Sequence, residues 1–360
     1  MKQALLAGAM LILALAPTVA QDQASAIPAD IGARVAEGFA APSLTAFSAT
    51  ANELRTEIGG LCDRPEPARL SKVREAFVPL VAAWGRASML RFGPLQEENR
   101  FERIFFWPDA RGVTLRQVEA LLAEGDAAVL EPGALAAKSV AVQGLPALEF
   151  ALFGTGSDTL ADGEGSFRCR YALAVAANVE AVAGAIAQAW RPGTAFRTAF
   201  VSPSSASDPY RSAEEVAGEI VKAIGTGLQF TRNAELLPAL GESIAKARGK
   251  RAPFWRSDTT FVLVSAQIEG LKTFAEAAGF AASSSPDVRD AVASLLFDLD
   301  HAISTLAEVA TPPAEAFGTA SDRDRLAYVG VALEGANHTL GENLAAALGL
   351  RMGFNALDGD

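Results

Sequence analysis

The chain has 360 residues, half of them hydrophobic, and its 31 Lys and Arg against 42 Asp and Glu give a net charge of -11. A surface this acidic repels polyanions, which excludes nucleic acid and anionic lipid as main partners. The length accommodates two domains, and the apolar fraction supplies a sizeable core.

Taken from the N-terminus, Lys2 precedes an apolar run from Ala4 to Ala16, then Pro17 and the small-residue stretch Thr18-Val19-Ala20 before Gln21. That layout is a secretory signal peptide over residues 1–20. Its apolar part is shorter than the roughly 20 residues a spanning helix needs. No cysteine stands at the cleavage point to carry a lipid, and no later segment reads as a membrane span. The expectation is an exported, periplasmic protein with no transmembrane segment once the signal is removed.

Beyond the signal, alanine and leucine dominate and apolar residues recur at spacings of three and four, the period of a helix. Ile31 to Ile58 reads as the first helix, stopped by Gly59-Gly60. A second starts near Pro67 and reaches Met89, with a kink expected at Pro79. Leu115 to Ala123 follows, with Thr114 as a candidate N-cap. An apolar helix from Ala134 to Phe153 is interrupted by Gly144 and Pro146. Ser166 to Trp190 is long and ends before Pro192. In the second half, Ser212 to Leu240 opens on a capping box, Ser212 to Glu215. Ser257 to Phe280, Ser285 to Ala310 and Asp322 to Leu348 complete the set. The fold class is therefore all-α. The simplest architecture is two packed four-helix, up-down bundles in tandem. Residues 30–192 form the first and 210–360 the second, with the Pro-, Ser- and Gly-rich residues 193–209 as linker.

Cys62 and Cys169 are the two cysteines, and an even count in an exported chain favours one disulfide. Two Pro-marked loops put aromatics beside arginines. One runs from Arg91 to Gly112 and contains Arg103, Trp107 and Asp109. The other, from Gly249 to Ser257, contains Arg251, Trp255, Arg256 and Ser257. Such loops are where a helical protein places binding sites. Glu149 lies between Leu148 and Phe150, just past Gly144 and Pro146, so a buried carboxylate is expected to meet an arginine from one of these loops.

Metal chemistry has little to work with. His301 and His338 are the two histidines. Glu334, His338 and Glu342 are spaced by four and share one helix stripe, which makes them a candidate metal set, or equally a solvated face with i,i+4 pairing. Asp298, Asp300 and His301 form a weaker cluster. The zinc-protease HExxH, the GxSxG elbow and the phosphate-binding glycine loops are all absent from the sequence.

Three stretches together carry a resemblance. They are Phe106-Trp107-Pro108-Asp109 followed by Gly112, Gly144 to Gly154 (GLPALEFALFG), and the tail Gly353 to Asp360 (GFNALDGD). Lys250 to Pro253, Trp255 to Ser257 and Arg168-Cys169 fit with them. The chain resembles the imelysin-like family of exported bacterial proteins, some of them iron-regulated, over almost the whole mature length. The resemblance implies two packed four-helix bundles with a functional site near their interface. The family has been grouped with metallopeptidases on a GxHxxE motif. Here Gly144 and Glu149 match its glycine and glutamate, but Pro146 stands where the histidine belongs and offers no metal-binding atom.

The reading that follows is a non-catalytic binding protein, tied by resemblance to iron or haem uptake and to a membrane partner in it. Its site residues are Trp107, Asp109, Arg103, Gly144, Glu149, Arg251, Trp255, Arg256 and Ser257. The arginines would meet anionic groups of a small ligand or peptide. Iron is the one cofactor suggested. Two alternatives remain: a metal-dependent peptidase with Glu149 as general base, and a structural adaptor for a partner protein.

Overall fold

The structure is a computed structural model that describes residues 26–350. The signal segment and the tail from Gly353 to Asp360 lie outside the described residues. Among the described residues every regular element is helical. Helix α1 (Ala41–Asp63) continues from Ile31–Val35 through a π turn, Ala36–Ala40. It buries Leu44, Phe47, Ala51, Leu54, Ile58 and Leu61, one stripe at alternating steps of three and four. The stop expected at Gly59-Gly60 does not occur. Two glycines weaken a helix by about 1 kcal/mol each. Burial of Ile58 and Leu61 offsets this, and a disulfide from Cys62 to Cys169 ties down the last turn.

Helix α2 (Pro67–Ala87) runs through Pro79 without ending and buries Leu70, Val73, Phe77, Leu80, Val81 and Trp84. Helix α3 (Val113–Glu124) is short, and α4 (Leu145–Phe153) starts where a break was expected. The residues before α4 are irregular with single 3-10 turns, so Pro146 sits in the first turn of a helix, where its missing N–H is no loss. Helix α5 (Ser166–Ala189) packs on α1 and α4. Contrary to the sequence expectation, its length and mean hydropathy of 1.5 would suit a membrane span. One face of it is instead built into the core, with Tyr171, Ala172, Val175 and Ala183 fully buried.

The segment read as a linker contains helix α6 (Ala195–Val201), whose Phe200 is buried and packs with Phe92, Trp190 and Tyr210. Polar residues dominate the stretch, but its two phenylalanines are enough to seat it. Helix α7 (Ala213–Phe230) begins with the expected box. Ser212 Oγ accepts from Glu215 N, and Glu215 Oε2 accepts from Arg211 N at 2.7 Å. It continues through a π turn, Thr231–Leu236, into Leu237–Leu240. Helices α8 (Thr260–Ala277), α9 (Pro286–Ala307) and α10 (Ala320–His338) follow, and α10 continues through a third π turn, Thr339–Leu344.

The first-half helices α1, α2, α4 and α5 contact one another, as do α7 to α10 in the second half. The main seam between these sets is α2 against α8. Gly85 makes that seam close: a Cβ there would sit 2.8 Å from the Cβ of Ala266 and 3.0 Å from the carbonyl oxygen of Leu263.

Candidate functional site

Four segments from both halves of the chain meet around one cavity of about 610 Å³. The first is the loop before α3. Its Trp107–Pro108 peptide is cis, and the Trp107 ring stacks on Phe105 at 6.0 Å. The Trp107 indole N–H donates to the carbonyl oxygen of Ala234 at 2.9 Å, which fastens the loop to the π turn after α7. Asp109, not Thr114, caps α3: Oδ1 accepts from Val113 N at 2.7 Å and Oδ2 from Thr114 N at 2.8 Å. A carboxylate at a helix N-terminus satisfies orphan N–H groups and complements the helix dipole.

The second segment is α4, which presents Pro146, Glu149 and Phe150. Gly144 ahead of it lies against the backbone of the 100–104 helix, where a Cβ would be 2.3 Å from the carbonyl oxygen of Ile104. The motif glycine is therefore a close-approach residue. Glu149 is 3% exposed. Its Oε1 accepts three hydrogen bonds, from Arg256 N at 2.8 Å, Ser257 N at 3.0 Å and Ser257 Oγ at 3.1 Å. The Arg256 guanidinium lies 4.0 Å from Oε2. Burial pushes the Glu149 carboxyl above its ordinary range, and the Ser257 and Arg256 contacts pull against that rise.

The third segment, Gly249 to Ser257, is the one Glu149 holds. Phe254 is buried against Phe77 and Phe105 with a left-handed backbone, φ 56°, and Asp258 shares that value. Non-glycine residues in this region carry about 1–2 kcal/mol of strain each. The Glu149 acceptor is one of the contacts that oppose it. Past the anchor, Lys250 and Arg256 flank the Trp255 ring at 5.1 and 4.5 Å, and Arg256 also lies over Phe150 at 5.5 Å. Arg251 lines the cavity with an exposed side chain that makes no hydrogen bond or ion pair among the described residues.

The fourth segment is the π turn and the residues after it, Asn233, Ala234 and Pro238. Directly behind it lies a buried polar cluster. Glu235 is fully buried and its Oε1 accepts from Gln267 Nε2 at 3.0 Å, while Gln267 Oε1 accepts from Thr231 Oγ1 at 3.3 Å. Among the described residues Glu235 Oε2 has no hydrogen-bond partner, and burial pushes the carboxyl up to about 8. Arg91 lies between the Phe101 and Phe230 rings at 3.9 and 4.0 Å, and desolvation lowers it to about 10. Arg91 Nη1 and the nearby Trp84 Nε1 are likewise buried without a hydrogen-bond partner among the described residues.

Of the residues expected at the site, Trp107, Asp109, Glu149, Arg251, Trp255 and Arg256 line this cavity. Ser257 and Gly144 support it from behind. Arg103 does not reach it. Its guanidinium turns away, donating to Gln143 Oε1 at 3.2 Å and Asn178 Oδ1 at 3.0 Å. The helix stripe proposed for a metal is dispersed: Glu334 pairs with Arg232 at 2.8 Å, leaving His338 with Glu342 at 3.3 Å on an exposed face. Asp300 pairs with Lys272. No group of three or more His, Cys, Asp or Glu among the described residues is placed to hold a metal ion. Asn233, Ala234 and Pro238 were not expected at the site, because their helix carries no signal beyond ordinary amphipathic spacing. Glu235 was missed for the same reason.

The fold has relatives. A family model described as Imelysin (Peptidase_M75) matches residues 40–338. Two solved structures share the fold. The first is an imelysin-like protein from Psychrobacter arcticum 273-4, with TM-score 0.74 and 19% identity, covering 91% of this chain and 98% of that one. The second, described as an iron-regulated protein A precursor, is from Parabacteroides distasonis ATCC 8503, with TM-score 0.74 and 11% identity, covering 89% and 94%. No curated protein matches the chain.

Proposed function

Because the chain belongs to the imelysin family, we propose that it is an exported, periplasmic binding protein of iron uptake that holds its ligand in this pocket without hydrolysing it. One observation carries the reading. Glu149, the motif carboxylate, has Oε1 filled by three donors from the Gly249–Ser257 loop. Hydrolysis by that carboxylate would also need a metal or an oxyanion-stabilising group beside it. Here the carboxylate fixes a loop, and Pro146 stands three residues before it with no ligating atom.

The iron link comes from the family and from the description of one relative. Bare iron does not suit this donor set. Both carboxylates of the cavity accept from backbone N–H groups, and the remaining charged lining is Lys250, Arg251 and Arg256. Haem does not suit it either, since the lining has no His, Cys, Met or Tyr to serve as axial ligand. Iron handled here would arrive inside an organic complex.

The test is metal analysis of the purified mature protein after incubation with iron(II), iron(III) or zinc, together with a peptide-hydrolysis assay, on the wild type and Glu149→Gln. Background metal and no hydrolysis in both proteins is the expected result. Stoichiometric metal or hydrolysis that the substitution removes would restore the peptidase reading.

A further inference from the structure

We infer that the pocket is built for a small organic carboxylate with an apolar or aromatic body. The inference rests on the binding reading above and names the class of ligand. Its basis is an imbalance between acidic and basic groups that the sequence conceals. The lining contains two carboxylates and three cations, a nearly even composition. The carboxylates, however, are already engaged: Asp109 uses both oxygens on the first turn of α3, and Glu149 uses Oε1 on the backbone of residues 256 and 257.

The cations are not engaged in the same way. Lys250 has only the Trp255 ring as a partner, and Arg251 has none among the described residues. Arg256 makes only a long ion pair with Glu149, at 4.0 Å, and lies over two rings, so its guanidinium N–H groups make no hydrogen bond among the described residues. Three donor-bearing cations from seven consecutive residues, beside two committed carboxylates, form an anion receptor. A guanidinium matches a carboxylate with two parallel hydrogen bonds.

The rest of the wall defines the body of the ligand. One face of Trp107 is covered by Phe105, and Pro146, Pro238 and Pro253 add rigid apolar surface. Such a wall gains from desolvating a ring or hydrocarbon and offers few donors or acceptors to a sugar. A cavity of about 610 Å³ falls within the size range of small-molecule sites. The anionic selectivity arises despite the overall charge of -11, because a site follows local groups and not the sum.

The experiment is calorimetric titration of the full mature protein with naphthoate, its neutral amide and naphthylmethylammonium. These probes share one ring system and differ in charge. Naphthoate should bind at least about tenfold tighter than the amide, and the ammonium should bind weakest. Arg251→Ala alters an exposed side chain without a structural partner, so circular dichroism and melting should be unchanged while the preference for naphthoate collapses. Arg251→Lys should restore part of it. Raising salt should narrow the naphthoate-to-amide ratio. Equal affinity for naphthoate and the amide, or a preference that survives Arg251→Ala with Arg256→Ala, overturns the ligand class and leaves the binding reading standing. Absence of binding by all three also overturns the ligand class. Peptide hydrolysis that Glu149→Gln abolishes would instead overturn the binding reading itself.

Discussion

Two glutamates flank the site, both buried, and they have been handled in opposite ways. Glu149 faces the cavity and accepts from two backbone N–H groups and a hydroxyl, with a guanidinium 4.0 Å away. Glu235 lies behind the π turn with a single donor, Gln267, and an oxygen that has no hydrogen-bond partner among the described residues. Each carboxyl is raised by desolvation, that of Glu235 to about 8, and at Glu149 the Ser257 and Arg256 contacts pull against the rise. The difference teaches that burial alone does not define a carboxylate's role. Donor supply decides whether it anchors a loop or sits in the core with an oxygen unpaired.

The comparison can be tested at four levels, beginning with a change that touches neither residue. Replacing Cys62 and Cys169 together by Ser opens a closed loop with a sequence separation of 107 residues. Denaturant melts should show a loss of about 4 kcal/mol by the chain-entropy argument. Naphthoate affinity in the surviving folded fraction should not change. A large drop in affinity would mean that the pocket depends on the α1–α5 tie, and not on the anchor at Glu149.

Next in size is Glu149→Ala, which strips the acceptor from three donors at once. The expected loss is about 3 kcal/mol, from the usual penalty for buried donors left unpaired. Glu149→Gln retains an oxygen for those donors and should stay within about 1 kcal/mol of wild type. If Gln were as damaging as Ala, charge would matter more than the acceptor, and the anchor account would fail.

Glu235 should show itself through pH. Its folded carboxyl titrates above the ordinary value of 4.5, so the unfolded chain releases the proton first as pH rises. Stability carried by this group is full below about 4.5, declines as pH climbs, and is gone above about 8. The slope is that of one proton, at most about 1.4 kcal/mol per pH unit. Glu235→Gln should flatten this window, as measured by urea melts across pH. The residual slope should then shrink further in Glu149→Gln, whose carboxyl is shifted the same way. The smallest effect is expected from Trp107→Phe, which removes the bond to the Ala234 carbonyl and should cost about 1 kcal/mol.

The helical fold was legible because its signals are local. Spacings of three and four located α1, α2, α5 and α7 to α10, and Ser212 marked the start of α7. The errors came where tertiary packing outweighed local preference. Gly59-Gly60 did not end α1, since the turn beyond them is buried and disulfide-linked. Residues 195–201 became helix α6 because Phe200 has an aromatic cluster to enter. At the site, aromatic and arginine-rich loops flagged five of the lining residues, since such side chains are costly to place without purpose, and the Gly144 and Pro146 interruption flagged Glu149. Arg103 was drawn in by the same rule, but Gln143 and Asn178 take it elsewhere. Glu235 and Asn233 were invisible because a π turn has no distinctive spelling, and it alone decides which way they face.

The hydrogen bond from Trp107 to Ala234 and the bonds from residues 256 and 257 to Glu149 each join positions more than a hundred apart in the chain. The pocket is thus absent from any fragment and comes into being only when both halves have docked. Ligand occupancy and global folding then form one linked equilibrium, and a ligand at about a hundred times its Kd adds about 2.7 kcal/mol to the stability of the whole chain. The melting temperature of the intact protein becomes a ligand detector that works before the natural cargo has been identified. A library of organic acids can be ranked by the heat each one enables the protein to survive.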